Sequence, residues 1–82
     1  MADDRLTAEQ IRDLLATLLA GAVGREPAAW LDAIGPITIH DIVWRPRCNW
    51  SVEPKGSRAQ IAAIEKAVAI VAAEHPYARA DS

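Results

Sequence analysis

Trp44-Arg45-Pro46-Arg47-Cys48-Asn49-Trp50-Ser51-Val52-Glu53-Pro54-Lys55-Gly56-Ser57 carries two of the chain's three tryptophans, its single cysteine and two of its five prolines. Within it Cys48, Trp50 and Val52 alternate with Asn49, Ser51 and Glu53, the two-residue period of a strand with one buried face. Pro54 lacks the amide a ladder needs and stops that strand. Lys55-Gly56-Ser57 is a turn, and Ser57-Arg58-Ala59-Gln60 is a capping box. In such a box the serine hydroxyl accepts from the Gln60 amide while the glutamine side chain reaches back. Arg45-Pro46-Arg47 reads as a hairpin connection, which places the partner strand just upstream.

That partner, Ile37 to Trp44, has a fault in its pattern. Ile37 and Ile39 share one face of a regular strand, whereas Ile42 and Trp44 share the other. A bulge at His40-Asp41 restores the alternation. Without one the strand is short, and Ile37 to His40 is only an extended lead-in.

Helical periodicity accounts for the rest. Thr7-Ala8-Glu9-Gln10 is another capping box, followed by apolar residues at Ile11, Leu14, Leu15, Leu18, Leu19 and Ala22, the stripe of an amphipathic helix. Gly21 and Gly24 close it. Pro27 at a first helical position opens a short second helix with Trp30, Leu31 and Ile34 on one face, and Gly35-Pro36 ends it. The last helix carries Ile61, Ile64, Val68, Val71 and Ala72 on one stripe, and alanines 62, 63, 67, 69 and 73 raise its propensity. Ile70 stands off that stripe beside Ala63 and Ala67, a second apolar edge wider than a lone hairpin covers and a pointer to another partner surface. His75-Pro76 ends the helix. The expected fold is α+β in the order α-α-β-β-α, a single small domain over residues 1–82 with 1–6 and 78–82 flexible. Trp30, Leu14, Leu18, Ile61, Ile64 and Val68 are its expected core.

Composition narrows the class. Eighty-two residues with 51% apolar content suit one modest core, and the absence of phenylalanine makes its stability marginal. A net charge of −2 argues against coating nucleic acid through bulk positive charge. One cysteine forms no internal disulfide, an acidic N-terminus is unlike a signal peptide, and Leu14 to Val23 is too short to span a bilayer. These features indicate a cytoplasmic protein without a membrane association. The first two helices form a helix-turn-helix only topologically, because Asp32 is the sole charge between residues 27 and 34 and has the wrong sign for a phosphate surface.

The candidate contact residues are Trp44, Arg45, Arg47, Lys55 and Arg58. Residues 42–58 hold four basic groups against one acidic, a local +3, so the remainder of a chain at −2 sums to −5. Arginines bracketing tryptophans beside helix-start amides suit an anion or a single nucleic-acid strand. The competing reading makes Trp44 and Trp50 core anchors and the arginines a solvated rim, and the phase of Trp50 with Cys48 and Val52 favours it. His40 and Asp41 point to opposite faces of a regular strand and form no dyad there. His75 reads as a helix-end residue, and Cys48 as a buried small hydrophobe without a neighbouring base. One cysteine and two histidines at 40, 48 and 75 match no zinc spacing, and no glycine-rich phosphate loop is present. No catalytic, metal or cofactor-binding residue is assigned.

Asn49-Trp50-Ser51-Val52, Ile64-Glu65-Lys66-Ala67-Val68 and Glu74-His75-Pro76-Tyr77 resemble the C-terminal half of short, uncharacterised bacterial proteins. The resemblance covers Asn49 to Tyr77 and implies a bacterial cytoplasmic origin and no transferable function. The expected function is a non-enzymatic protein-interaction module, a homodimer or a small accessory subunit of a bacterial assembly. The alternative is a nucleic-acid or anion-binding module using the basic, tryptophan-containing hairpin. An enzyme using Cys48 or His40 is the third reading.

Overall fold

A computed structural model describes residues 5–79. The order is α1 (Ala8–Ala22), α2 (Pro27–Ile34), β1 (Thr38–Ile39), β2 (Trp50–Ser51) and α3 (Arg58–Glu74), an α+β arrangement. Both capping boxes form. Thr7 Oγ1 accepts from the Gln10 amide and Gln10 Oε1 accepts from the Thr7 amide, and Ser57 and Gln60 repeat the exchange at the start of α3. Each box satisfies two backbone donors that a helix start otherwise leaves open. Gly56 supports the second box with a positive φ of 112°, and a Cβ there would collide with the Gln60 side-chain oxygen.

Gly21 lies inside the last turn of α1, and the chain reverses after it through Gly24 and Arg25, both with positive φ. The Trp30 indole Nε1 donates to the Gly24 carbonyl at 2.7 Å, which fixes the turn to the buried face of α2. The end of α2 is held from two sides. Arg12 Nη2 donates to the Leu31 carbonyl at 2.8 Å, placing a cation where the helix dipole favours one and where α2 has none of its own. The Lys55 amide donates to the Ala33 carbonyl at 2.7 Å and ties the approach to α3 onto α2.

The core is Ile11, Leu15 and Leu19 of α1, Trp30 and Ile34 of α2, Trp50 of β2, and Ile64 and Val71 of α3. Of the expected core, Trp30 and Ile64 are fully buried; Leu14, Leu18 and Val68 pack half-buried against the cluster, and Ile61 is also half-buried. The difference has a geometric cause. With α2 and α3 both packed on α1, its buried line runs through 11, 15 and 19, and Leu14 and Leu18 become flanks.

The hairpin is shorter than the longer of the two strand readings. Thr38 pairs with Ser51 and Ile39 with Trp50, antiparallel, and the ladder ends there. Asp41 is the reason. Its carbonyl accepts from the amides of Trp44 and Arg45, both at 3.0 Å, and its carboxylate from Val43 at 2.9 Å. This local capture winds residues 41–45 into a turn and takes away the amides a strand would need. No bulge is required: the short-strand reading describes the structure.

What secures so small a ladder is the chain beyond α3. Asn49 is buried and grips Ala78 twice, Nδ2 donating to its carbonyl at 2.8 Å and Oδ1 accepting from its amide at 2.7 Å. The Asn49 amide donates to the Pro76 carbonyl, and Trp50 Nε1 to the His75 carbonyl at 2.8 Å. Arg79 continues the path, its amide donating to the Leu6 carbonyl at 2.9 Å beside a parallel bridge between Thr7 and Arg79. Residues 6, 78 and 79, read from sequence as parts of flexible ends, are thus hydrogen-bonded parts of the fold, because the hairpin and α1 offer them unpaired backbone and amide groups. Residues 1–4 and 80–82 of those expected flexible ends lie outside the described residues.

Replacing Asn49 by Ala strips partners from both buried groups of Ala78. The loss expected is about 2–4 kcal/mol, a large share of the roughly 4–12 kcal/mol usual for a domain of this size, read as a lower urea midpoint. Thr7→Ala and Ser57→Ala are each expected to cost about 1 kcal/mol in the same measurement.

Candidate functional site

The loop from Asp41 to Cys48 is built from both ends. The Asp41 turn shapes its first half, and the His40 amide donates to the Asn49 carbonyl at 2.6 Å to close its base. On the far side the Tyr77 hydroxyl donates to the Pro46 carbonyl. A frame pinned in this way has turned Ile42, Val43 and Trp44 out to solvent. Val43 is 74% and Trp44 81% exposed, against 1% for Trp50. The two tryptophans read together as core anchors therefore part company. Trp50 is in the core; Trp44 is not, because the turn at Asp41 removes it from the strand whose phase would have buried it.

The five candidate residues fall into two groups. Trp44, Arg45 and Arg47 join Pro46 and Cys48 around a shallow hollow of about 300 Å³. This hollow lies by the C-terminal end of α3, since Pro46 meets Tyr77 and Asn49 meets Pro76 and Ala78. Lys55 and Arg58 lie at the opposite end, at the start of α3. Seventeen helical residues separate the two ends, a span of about 25 Å at 1.5 Å per residue. The helix-start amides proposed to help hold an anion are therefore far from both arginines and from Trp44.

The remaining candidate groups, His40, Asp41 and Cys48, are engaged separately from one another. His40 Nε2 lies 2.6 Å from Ser51 Oγ, a pair that reading His40 only against Asp41 had missed. Hairpin register held the signal: in the antiparallel ladder His40 stands opposite Asn49, on the face shared by Thr38 and its partner Ser51, which makes Ser51 its diagonal neighbour. The Asp41 carboxylate is engaged by the Val43 amide instead. Neither His40 nor Ser51 lines the Trp44 hollow or the helix groove described next. Cys48 is half-buried, packs against the core and donates weakly to the Trp50 carbonyl. Among the described residues, no group of three His, Cys, Asp or Glu side chains is placed to hold a metal ion.

A second surface, hinted at by Ile70, is an apolar groove of about 410 Å³ between the end of α1 and the outer side of α3. Alanines 59, 62 and 63 form its α3 floor, and Leu18, Val23 and Ile70 border it. Lys66 is the only charged group among the described residues that line it. Val23 and Ile70 are 60% and 54% exposed. Comparison with protein-family models, with curated proteins and with solved structures finds no match to this chain.

The contrast between the tryptophans is directly measurable. Acrylamide is expected to quench one of three indoles readily, and Trp44→Phe to remove that accessible fraction. Trp44→Ala is expected to change stability by no more than about 0.5 kcal/mol, whereas Trp50→Ala costs roughly 3–5 kcal/mol; equal costs in urea unfolding would contradict the placement.

Proposed function

We propose that this protein is a non-enzymatic protein-interaction module of the cytoplasm, working as a homodimer or as a small accessory subunit of a bacterial assembly. The observation that carries the reading is the loop tip. Three consecutive large apolar side chains, Ile42, Val43 and Trp44, stand in water on a loop held by its own hydrogen bonds. Such a patch gains nothing for the isolated chain, and pre-ordering it lowers the conformational cost of docking. Tryptophan and arginine are the residues that dominate interface hot spots, and Arg45 and Arg47 follow directly. A partner pocket of matching chemistry is apolar at its floor and acidic at its rim. The cytoplasmic placement rests on the lone, half-buried cysteine; no helix among the described residues is long and apolar enough to cross a membrane.

The test uses the tagged full chain and a Trp44→Ser, Arg45→Ala, Arg47→Ala variant in extract of the cells that make it. A protein retained stoichiometrically by the wild type and lost with the folded variant is the expected result. Identical retained sets would reject the loop as the contact.

The second reading, binding of a single nucleic-acid strand or another anion, is favoured by one feature, an exposed indole with two arginines beside it. Only two cations border that indole, so counterion release limits the salt slope to about −1.4 for a single strand. Binding of that kind is expected to be weak and to vanish in the Arg45→Ala, Arg47→Ala variant. Tight binding that persists at high salt in the variant would reject this site.

A further inference from the structure

We propose that the groove between α1 and α3 is closed by a second copy of this chain, the two α3 helices packing antiparallel about a two-fold axis near Lys66. The proposal rests on the interaction-module reading but uses a different surface from the loop and names the partner. Its basis is that the surface supplies both halves of its own contact.

At 3.6 residues per turn, Ala59, Ala62, Ala63, Lys66 and Ile70 share one side of α3. Ala59, Ala62, Ala63 and Lys66 stand at i, i+3, i+4 and i+7, the diamond that receives a single side chain from a facing helix. Three of its four corners are alanine, so the recess is deep enough for a branched side chain. Ile70 is that side chain, 54% exposed and farther along the same side. An isologous contact requires one patch to carry both the projection and the recess. With the axis near Lys66, each Ile70 enters the partner's diamond, twice over.

Charge selects the antiparallel sense. The first turn of α3 has no acidic residue and its last turn no basic one. Instead Arg58 opens the helix and Glu74 closes it, both against the helix's own dipole. Packing a second α3 antiparallel brings the basic end of each near the acidic end of the other. A parallel pair would stack like charge on like. At the centre the two Lys66 face each other across the axis; Glu65 stands about 100° round the helix at the rim of the contact, and the flexible lysine stem lets each ammonium lean outward toward the partner's rim. Val23, at the end of α1, extends the apolar border. An acidic partner helix of another protein would also meet Lys66, but it would not explain the matched Ile70 and alanine diamond on one chain.

The experiment is sedimentation velocity on the full chain from 1 to 200 µM, with Ile70→Glu and Ala62→Glu, both at exposed positions, checked for native helicity by circular dichroism. The expected result is a wild-type dimer and at least a tenfold weaker association in each folded variant. A wild-type monomer throughout the range overturns the second-copy proposal and leaves the loop reading standing. A dimer indifferent to both variants overturns this interface and leaves self-association by another surface. In a Cys48→Ser background, oxidised Lys66→Cys is expected to cross-link to itself far faster than Ile70→Cys, because only residue 66 sits at the axis. Equal rates, or a faster Ile70→Cys, would reject the register.

Discussion

Two paired residues on each side do not make a stable β-ribbon in water, and the ladder of β1 and β2 has no more than that. The constraint that lets it exist is the grip of Asn49 on Ala78. One side-chain amide satisfies both backbone groups of a residue 29 positions away, inside a region where leaving them unpaired would be costly. From that grip follow the placement of Trp50 under the end of α3 and the path of the chain back to Leu6. The base of the loop, where His40 meets Asn49, depends on it as well. The exposed tip containing Trp44 is presented by this scaffold, and its position is only as well defined as the Asn49 contact.

The two outward-facing apolar surfaces have different origins. At the loop tip, Asp41 competes with the sheet for backbone amides and wins, so side chains patterned for a strand are delivered to solvent. Along α3 the cause is alanine. A helix so rich in alanine forms readily but offers little volume, and its outer side stays shallow where a larger side chain would have filled the space beside α1.

Features encoded within a few residues of each other were readable in the sequence. Thr7 with Gln10, Ser57 with Gln60 and Pro27 at the head of α2 mark their helix starts through contacts no more than three residues apart, and the structure has each of them. Ile70 was legible as an off-stripe apolar residue because helical periodicity is a local property. The loop was harder. Ile42 and Trp44 sit two apart, as strand neighbours do, and nothing in that spacing reveals that Asp41 will take the intervening amides. Asn49 sits on the polar side of the alternation, which reads as outward, yet the segment after α3 covers that side too. The spatial separation of the basic residues was hidden for a related reason. Residues 45 to 58 are close in sequence, but the chain through β2 and Pro54 carries Lys55 and Arg58 to the other end of α3.

Because the grip on Asn49 comes from Ala78, the order in which the chain is synthesised matters to the order in which it can fold. Helices α1 and α2 emerge first and can begin to collapse through Trp30 and the Gly24 turn. The hairpin residues follow but find no lasting purchase, since their anchor has yet to be translated. On the ribosome the Ile42-Val43-Trp44 segment therefore spends the whole synthesis of α3 without its frame. The interval closes when Ala78 becomes available to Asn49, and that one contact sets the frame all at once.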